Sequence, residues 1–194
     1  MSYPLAGVRI LELGQIIAGT YGSQVLSDLG AEVIEVETPD GDLGRNPSVA
    51  PYRGLSGLFL TLNRNKQSIV INLKSEEGRR VFYDLVKISD VVVDNFRPGV
   101  LERLRIDYAT LAKINPRIIQ CSVTGFGEEG IYKNYPALDI NIQAISGHMA
   151  VTGEPGRPPV RVGIPLADMS GGIDRKSTRL NSSHSDRSRM PSSA

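Results

Sequence analysis

The sequence contains very little cysteine, histidine or tryptophan. Its 194 residues include one cysteine, two histidines and no tryptophan. A single cysteine excludes an internal disulfide and a cysteine-rich metal site. Cys121 lies in the apolar segment 117–123, which is typical of a small buried residue in a strand.

Long hydrophobic runs are also missing. No stretch approaches the roughly 20 apolar residues that a transmembrane helix needs, and the first residues show no basic region followed by an apolar segment of the secretory type. Apolar residues still make up 40% of the chain, which is ordinary for a packed domain. We therefore expect a cytoplasmic protein with no membrane partner.

An excess of basic charge is confined to the C-terminal tail. The run that starts at Asp174 can be encoded by a codon string matching a common high-throughput sequencing adapter. We therefore predict a domain over residues 1–173 and a disordered, non-native tail over residues 174–194. The tail holds five of the 22 Lys and Arg residues and two of the 21 acids, which leaves 17 basic and 19 acidic residues. A net charge of about −2 gives no reason to expect a nucleic-acid partner.

The rest of the chain alternates between short apolar runs and amphipathic segments. Strands are predicted at 8–13, 31–37, 68–72, 91–95 and 117–123, with a polar loop over 38–57. Helices are predicted at 18–29, 75–88, 108–114 and 139–149, with a short one opened by Pro98 and another begun by Asp168. This alternation predicts an α/β fold, Rossmann-like, with a largely parallel sheet and helices on both faces.

Polar residues and glycines follow the predicted strands, at the edge of the sheet where such folds bind ligands. Asp168 stands out because Gly171 and Gly172 follow it. Small neighbours let a substrate and backbone donors approach a nucleophilic carboxylate. The same local pattern is typical of an ordinary helix N-cap, so Asp168 has two interpretations at this level.

A dinucleotide-binding oxidoreductase is one alternative, because the chain opens with a βαβ pattern and an acid, Glu37, ends its second strand. The spacing of Gly14, Gly19 and Gly22 nevertheless differs from the G-x-G-x-x-G fingerprint. A binding module without catalytic activity is a third interpretation.

Six ordered segments carry a resemblance to a known family. They are residues 5–13, 29–37, 62–69, 95–100, 115–119 and 125–127. Together they resemble the class III coenzyme A transferases, the superfamily that contains formyl-CoA transferase, carnitine CoA-transferase and α-methylacyl-CoA racemase. Members of that family are about twice as long, so the resemblance implies the N-terminal part of the family's large domain.

The resemblance implies an acyl-CoA:carboxylate CoA-transferase in which Asp168 is the covalent nucleophile. Coenzyme A would enter as acyl-CoA substrate, with no permanently bound cofactor and no metal. The residues that the resemblance places at the coenzyme are Ile17, Ala18, Ile71, Asn72, Leu73, Lys74, Asn95, Phe96, Arg97 and Arg103. Lys66 is a weaker candidate for its phosphates, and Thr38 replaces an arginine that formyl-CoA transferase has after the second strand.

An acyl-CoA racemase or epimerase of the same superfamily is the other alternative. The racemases carry a catalytic histidine immediately before an Asp-Ile-Asn segment, whereas here Leu138 precedes Asp139. A racemase needs a second proton-transfer group, so Leu138 favours the transferase. The resemblance also implies an interlocked homodimer for the full-length protein, and an inactive fragment.

Overall fold

Five short strands alternate with helices in the computed structural model, which describes residues 3–47 and 50–174. The predicted tail covers residues 174–194. Asp174 is the last residue of a described helix, and residues 175–194 lie outside the described residues. The strands are β1 (Arg9–Glu12), β2 (Glu32–Glu37), β3 (Lys66–Val70), β4 (Val91–Asp94) and β5 (Ile119–Ser122). The helices are α1 (Ala18–Asp28), α2 (Gly57–Leu62), α3 (Glu76–Lys87), α4 (Val100–Leu104), α5 (Tyr108–Ile114), α6 (Asp139–Ile145) and α7 (166–174). Two short 3-10 helices cover Leu43–Arg45 and His148–Val151.

The strands form one parallel sheet in the order β3-β2-β1-β4-β5. β1 pairs with β2 on one side and with β4 on the other. Strands β2 and β3 are therefore added on one side of β1, and β4 and β5 on the other, so the strand order switches between β1 and β4. A crevice opens at such a switch point, beyond the carboxyl ends of the two strands. The predicted Rossmann-like α/β fold is confirmed.

Both faces of the sheet are buried except along the edge strand β3, as in other parallel sheets. Successive residues of a strand point to opposite faces, so Leu11 joins a core with Phe82 of α3 and Leu111 of α5. Its neighbour Ile10 joins a second core with Leu26 of α1 and Cys121 of β5. Cys121 is buried, as its apolar surroundings predicted.

Several boundaries differ from the pattern-based predictions. Helix α2 was not predicted. The predicted loop ends at Gly57, the first residue of this helix, and its six residues are too few for a clear helical period. The helix predicted over 139–149 ends at Ile145, since Gly147 adopts a left-handed conformation with φ of 84°. Strand β3 begins two residues earlier than predicted, at Lys66.

Glycines allow two neighbouring elements to pack closely against the first turn of α1. A Cβ at Gly14 would lie 2.7 Å from Cα of Gly19, so the end of β1 and the start of α1 approach backbone to backbone. A Cβ at Gly172 would lie 2.7 Å from the carbonyl oxygen of Ala18. This close packing holds α7, which carries Asp168, against α1.

The described helices are all too short or too polar to cross a membrane. Within residues 3–47 and 50–174, no group of three or more His, Cys, Asp or Glu residues is arranged to hold a metal ion.

Candidate active site

A cavity of about 630 Å³ opens at the switch point of the sheet. The loops after β1, β4 and β5 form one side of the cavity, and residues of α6 and α7 form the other. Its lining includes six of the residues predicted for catalysis or coenzyme contact, which are Ile17, Ala18, Asn95, Phe96, Arg97 and Asp168. Residues separated by up to about 150 positions in sequence therefore share one site.

The loop after β1 is shaped by two polar side chains from other parts of the chain. Asn95 accepts a hydrogen bond from the Gln15 amide at 2.9 Å and donates one to the Gln15 carbonyl at 2.9 Å. Asp42 accepts a hydrogen bond from the Ile16 amide at 3.3 Å. Ile16 has a φ of 65°, which is unfavourable for a β-branched residue. The side chain of Asn95 therefore acts on the shape of this loop.

Asp168 lies in the first turn of α7, in the wall of the cavity, and is half-buried. Burial and, as the smaller contribution, the nearby charge of Asp139 together raise the pKa of its carboxyl group to about 6. A group with this pKa is mostly ionised at neutral pH. Asp168 thus presents a partly desolvated carboxylate to the cavity.

Asp168 does not cap its own helix. Asp139, the first residue of α6, accepts hydrogen bonds from the amides of Ala167 at 2.8 Å and Asp168 at 3.2 Å. These are the free N–H groups that an N-cap normally satisfies. The second interpretation of Asp168, as the capping residue, is therefore wrong, because the cap comes from another helix.

Five predicted coenzyme residues lie away from this cavity. Ile71 and Leu73 are buried in the core beneath β3, so their side chains face the interior. Asn72 and Lys74 alternate with these two residues in the sequence and are exposed, and Arg103 is exposed on α4. The loop after β3 lies at the same edge of the sheet as the cavity, two strands away from β1.

Exposed cations are available along this edge. Within the described ranges, no ion pair involves Lys74, Arg97 or Arg103. Lys133 and Arg161 also line the cavity, although sequence reasoning missed both. Neither follows a strand or belongs to a motif, so only the packing of their loops reveals them.

Two other charged residues already bind partners inside the protein. The ammonium group of Lys66 is 1% exposed and lies 2.8 Å from Glu12, so the suggestion that it binds phosphates is wrong. Glu37 is held by Arg45 at 2.6 Å and by Ser68. The hydrogen bond from Arg45 lowers the pKa of Glu37 to about 2. Glu37 therefore has its partners within the protein and does not face a ribose.

A second and larger cavity, of about 1010 Å³, lies beside the first one, between the ends of β4 and β5 and helix α4. Phe96 and Arg97 border both cavities. The larger cavity contains Asp94, whose pKa burial raises to about 6, but Ser122 and the Phe96 amide already donate hydrogen bonds to that carboxyl group. We assign the smaller cavity as the candidate active site because Asp168 lies there.

The sheet order, the cavity at its switch point and the carboxylate in the cavity wall define a Rossmann-like α/β protein with an acidic candidate nucleophile. The sequence profile of CoA-transferase family III matches residues 5–174. The chain belongs to this family.

Named relatives agree with this assignment. The chain is 45% identical over 173 residues to acetyl-CoA:oxalate CoA-transferase of Acetobacter aceti, and 39% identical over 177 residues to succinate–glutarate CoA-transferase of Agrobacterium fabrum. Each match covers 88% of this chain and 44% of the relative. A crystal structure of a CAIB/BAIF family protein from Brucella suis superposes with a TM-score of 0.91 at 39% identity, covering 97% of this chain and 51% of that one. The chain thus spans about half the length of the proteins it matches.

Proposed function

We propose that the full-length protein transfers coenzyme A from an acyl-CoA to a carboxylic acid, through a covalent intermediate on Asp168. The observation that carries this proposal is the half-buried carboxylate of Asp168 in the wall of the switch-point cavity. Family membership and the activities named for the relatives support it.

The first half of the reaction would convert Asp168 into a thioester. Its carboxylate oxygen attacks the thioester carbonyl of the acyl-CoA, the carbon–sulfur bond breaks, and a mixed anhydride and the CoA thiolate result. The thiolate then attacks the carbonyl carbon of Asp168, and the donor leaves as a carboxylate.

The second half would repeat these steps in reverse with a new acid. The acceptor carboxylate attacks the aspartyl thioester and releases the thiolate, which then attacks the acceptor's carbonyl carbon. A new acyl-CoA leaves, and Asp168 returns as a free carboxylate. The cycle consumes no proton, oxidant or reductant.

The coenzyme would lie along the carboxyl edge of the sheet. Its phosphates require cations or amide donors, and Lys74, Arg97 and Arg103 are exposed cations without protein ion pairs among the described residues. Neighbouring strands are about 4.8 Å apart. An elongated ligand could therefore reach from Asp168 past β1 to the loop after β3.

Leu138 argues against the racemase alternative. It lines the cavity next to Asp139 and is 67% exposed. An aliphatic side chain cannot exchange a proton with a substrate, and racemisation needs a proton-transfer group on each side of the reacting carbon.

We also propose that the full-length protein is an interlocked homodimer and that it is located in the cytoplasm. Large apolar side chains of the 131–164 region are exposed, including Ile131, Leu138, Ile145 and Val151. Exposure of several large apolar side chains in one region of the sequence supports an interface there. In the proposed protein the missing half and the second subunit would cover it.

Activity of the full-length protein tests the proposal. We expect it to exchange CoA between an acyl-CoA and a carboxylic acid, in an assay that follows both acyl-CoA species by chromatography, and we expect the 194-residue chain to have no activity. A panel of short mono- and dicarboxylic acids should be offered as acceptors. Exchange of the α-proton of a 2-methylacyl-CoA without any CoA transfer would instead support the racemase.

The reading frame gives a test that requires no protein. We expect resequencing of the source DNA through the codon for Ile173 to show a frame that continues for about another domain's length. The family match already ends at residue 174. A genomic frame that encodes residues 174–194 and then stops would contradict the proposed adapter origin of the tail and would favour a non-catalytic binding role.

A further inference from the structure

Asp139 connects the start of α6 to the start of α7. One of its carboxylate oxygens, Oδ1, accepts both hydrogen bonds from α7, at the amides of Ala167 and Asp168. The candidate nucleophile therefore has its own backbone amide tied to Asp139. Because the two residues are 29 positions apart, this contact sets the position of Asp168 relative to α6.

Gln143 holds the other side of Asp139. It lies one turn further along α6, is 1% exposed, and donates from Nε2 to Oδ2 of Asp139 at 2.6 Å. The same amide nitrogen donates to the Ile164 carbonyl at 3.2 Å, and its oxygen accepts from the Val162 amide at 2.9 Å. Gln143 thus fixes both Asp139 and the segment that leads into α7.

We propose that Asp139 and Gln143 are positioning residues for catalysis, which hold the carboxylate of Asp168 at the cavity wall and tune its basicity. This inference rests on the proposed role of Asp168. The reaction rate depends steeply on the position of the reacting carboxylate, since a misplacement of about 1 Å can cost roughly 100-fold in rate.

The charge of Asp139 adds an electrostatic effect to the geometric one. Like charges near one another disfavour ionisation, and Asp139 accordingly contributes to the raised pKa of Asp168, after burial. The other charged groups lining the cavity are Arg97, Lys133 and Arg161, all of them exposed to solvent. A more basic carboxylate is a stronger nucleophile, and with a pKa of about 6 it remains roughly nine-tenths ionised at pH 7.

The Asp139→Asn variant separates charge from capping. Its side-chain oxygen can still accept from the two α7 amides, while the negative charge and the hydrogen bond that Gln143 donates to Oδ2 are gone. In the full-length protein, kcat/KM should be measured from about pH 5 to about pH 8.5. We expect the wild-type rate to fall below a pH of about 6 as Asp168 becomes protonated. In the variant this limb should move to lower pH.

The Asp139→Ala variant removes the cap as well. We expect kcat to fall roughly 100-fold, with the KM for acyl-CoA changed by less than about threefold. Asp107→Asn is the matched control, because Asp107 caps α5 by accepting from the Thr110 amide. It should leave the acid limb where the wild type has it.

The outcomes distinguish this inference from the proposed function. If Asp168→Ala retains transfer, the proposed covalent role of Asp168 fails, and the positioning inference fails with it. If Asp168→Ala is inactive but Asp139→Asn keeps the wild-type acid limb, only the positioning inference is overturned. Should Asp139→Ala fail to fold, as judged by circular dichroism, the Asn variant alone decides, because it keeps the capping oxygen.

Discussion

Replacing Asp168 with alanine in the full-length protein is expected to lower CoA transfer by roughly 10⁴-fold or more. The reason is chemical, since without the carboxylate no group in the cavity wall can take the acyl group and then the CoA. The carboxylate of Asp139 is bound by the amides of α7 and by Gln143, so it cannot substitute. The measurement is the initial rate of acyl-CoA exchange at saturating substrates.

Two controls make the Asp168 result specific. Asp168→Asn keeps the shape of the side chain but removes its nucleophilic oxygen, and it should be as inactive as the alanine variant. Asp84→Ala removes an exposed acid on α3 and should leave the rate unchanged. Hydroxylamine added during turnover should convert Asp168, and no other acid, to a hydroxamate detectable by peptide mass spectrometry. Wild-type rates for Asp168→Ala would exclude the covalent mechanism.

Replacing Lys66 with methionine is expected to have the largest effect on stability, about 3–5 kcal/mol in the free energy of unfolding. Lys66 and Glu12 form an ion pair at 2.8 Å with side chains only 1% and 0% exposed. Lys66 also donates to Asn63 at 2.8 Å and to the Thr20 carbonyl at 3.0 Å. Methionine fits the space but leaves the carboxylate of Glu12 in the core without its cation. The midpoint of urea unfolding measures the loss.

We expect the loss of stability to come from the unpaired charge of Glu12, and a double variant tests this expectation. Lys66→Met combined with Glu12→Gln removes both charges and should recover much of the lost stability. Lys87→Met breaks an exposed pair with Asp84 and should change stability by less than about 0.5 kcal/mol. Equal unfolding midpoints for Lys66→Met and Lys87→Met would show that the buried ion pair contributes no more to stability than the exposed one.

Much of the fold could be predicted from local patterns. Helix α5 has the predicted bounds, and α3 begins after Ser75, whose hydroxyl accepts from the Gly78 amide as a capping residue should. The parallel sheet followed from the alternation of strands and helices. Helix α2 was missed because its six residues show no distinct helical period.

The candidate site was predictable to the extent that it follows the strands. The carboxyl ends of parallel strands meet at one edge of a sheet, so Ile17 and Asn95 could be placed together before the structure was known. Lys133 and Arg161 could not, because they lie in long segments between regular elements. The role of Asp139 as the cap of α7 was also invisible, since its sequence position marks it only as the start of α6.

By itself the sequence determined the order of the strands and of most helices, because these depend on periodicity. The resemblance of its ordered segments indicated the family and the acid proposed as nucleophile. Only the tertiary structure decided which polar groups are occupied. Lys66 and the Thr20 carbonyl are 46 positions apart, and Asn95 and Gln15 are 80 apart. Burial and hydrogen bonding over such separations arise when elements pack. Packing therefore places the ammonium group of Lys66 in the core. It also brings the side chain of Asn95 to the loop after β1 and the carboxylate of Asp139 to the backbone amide of Asp168.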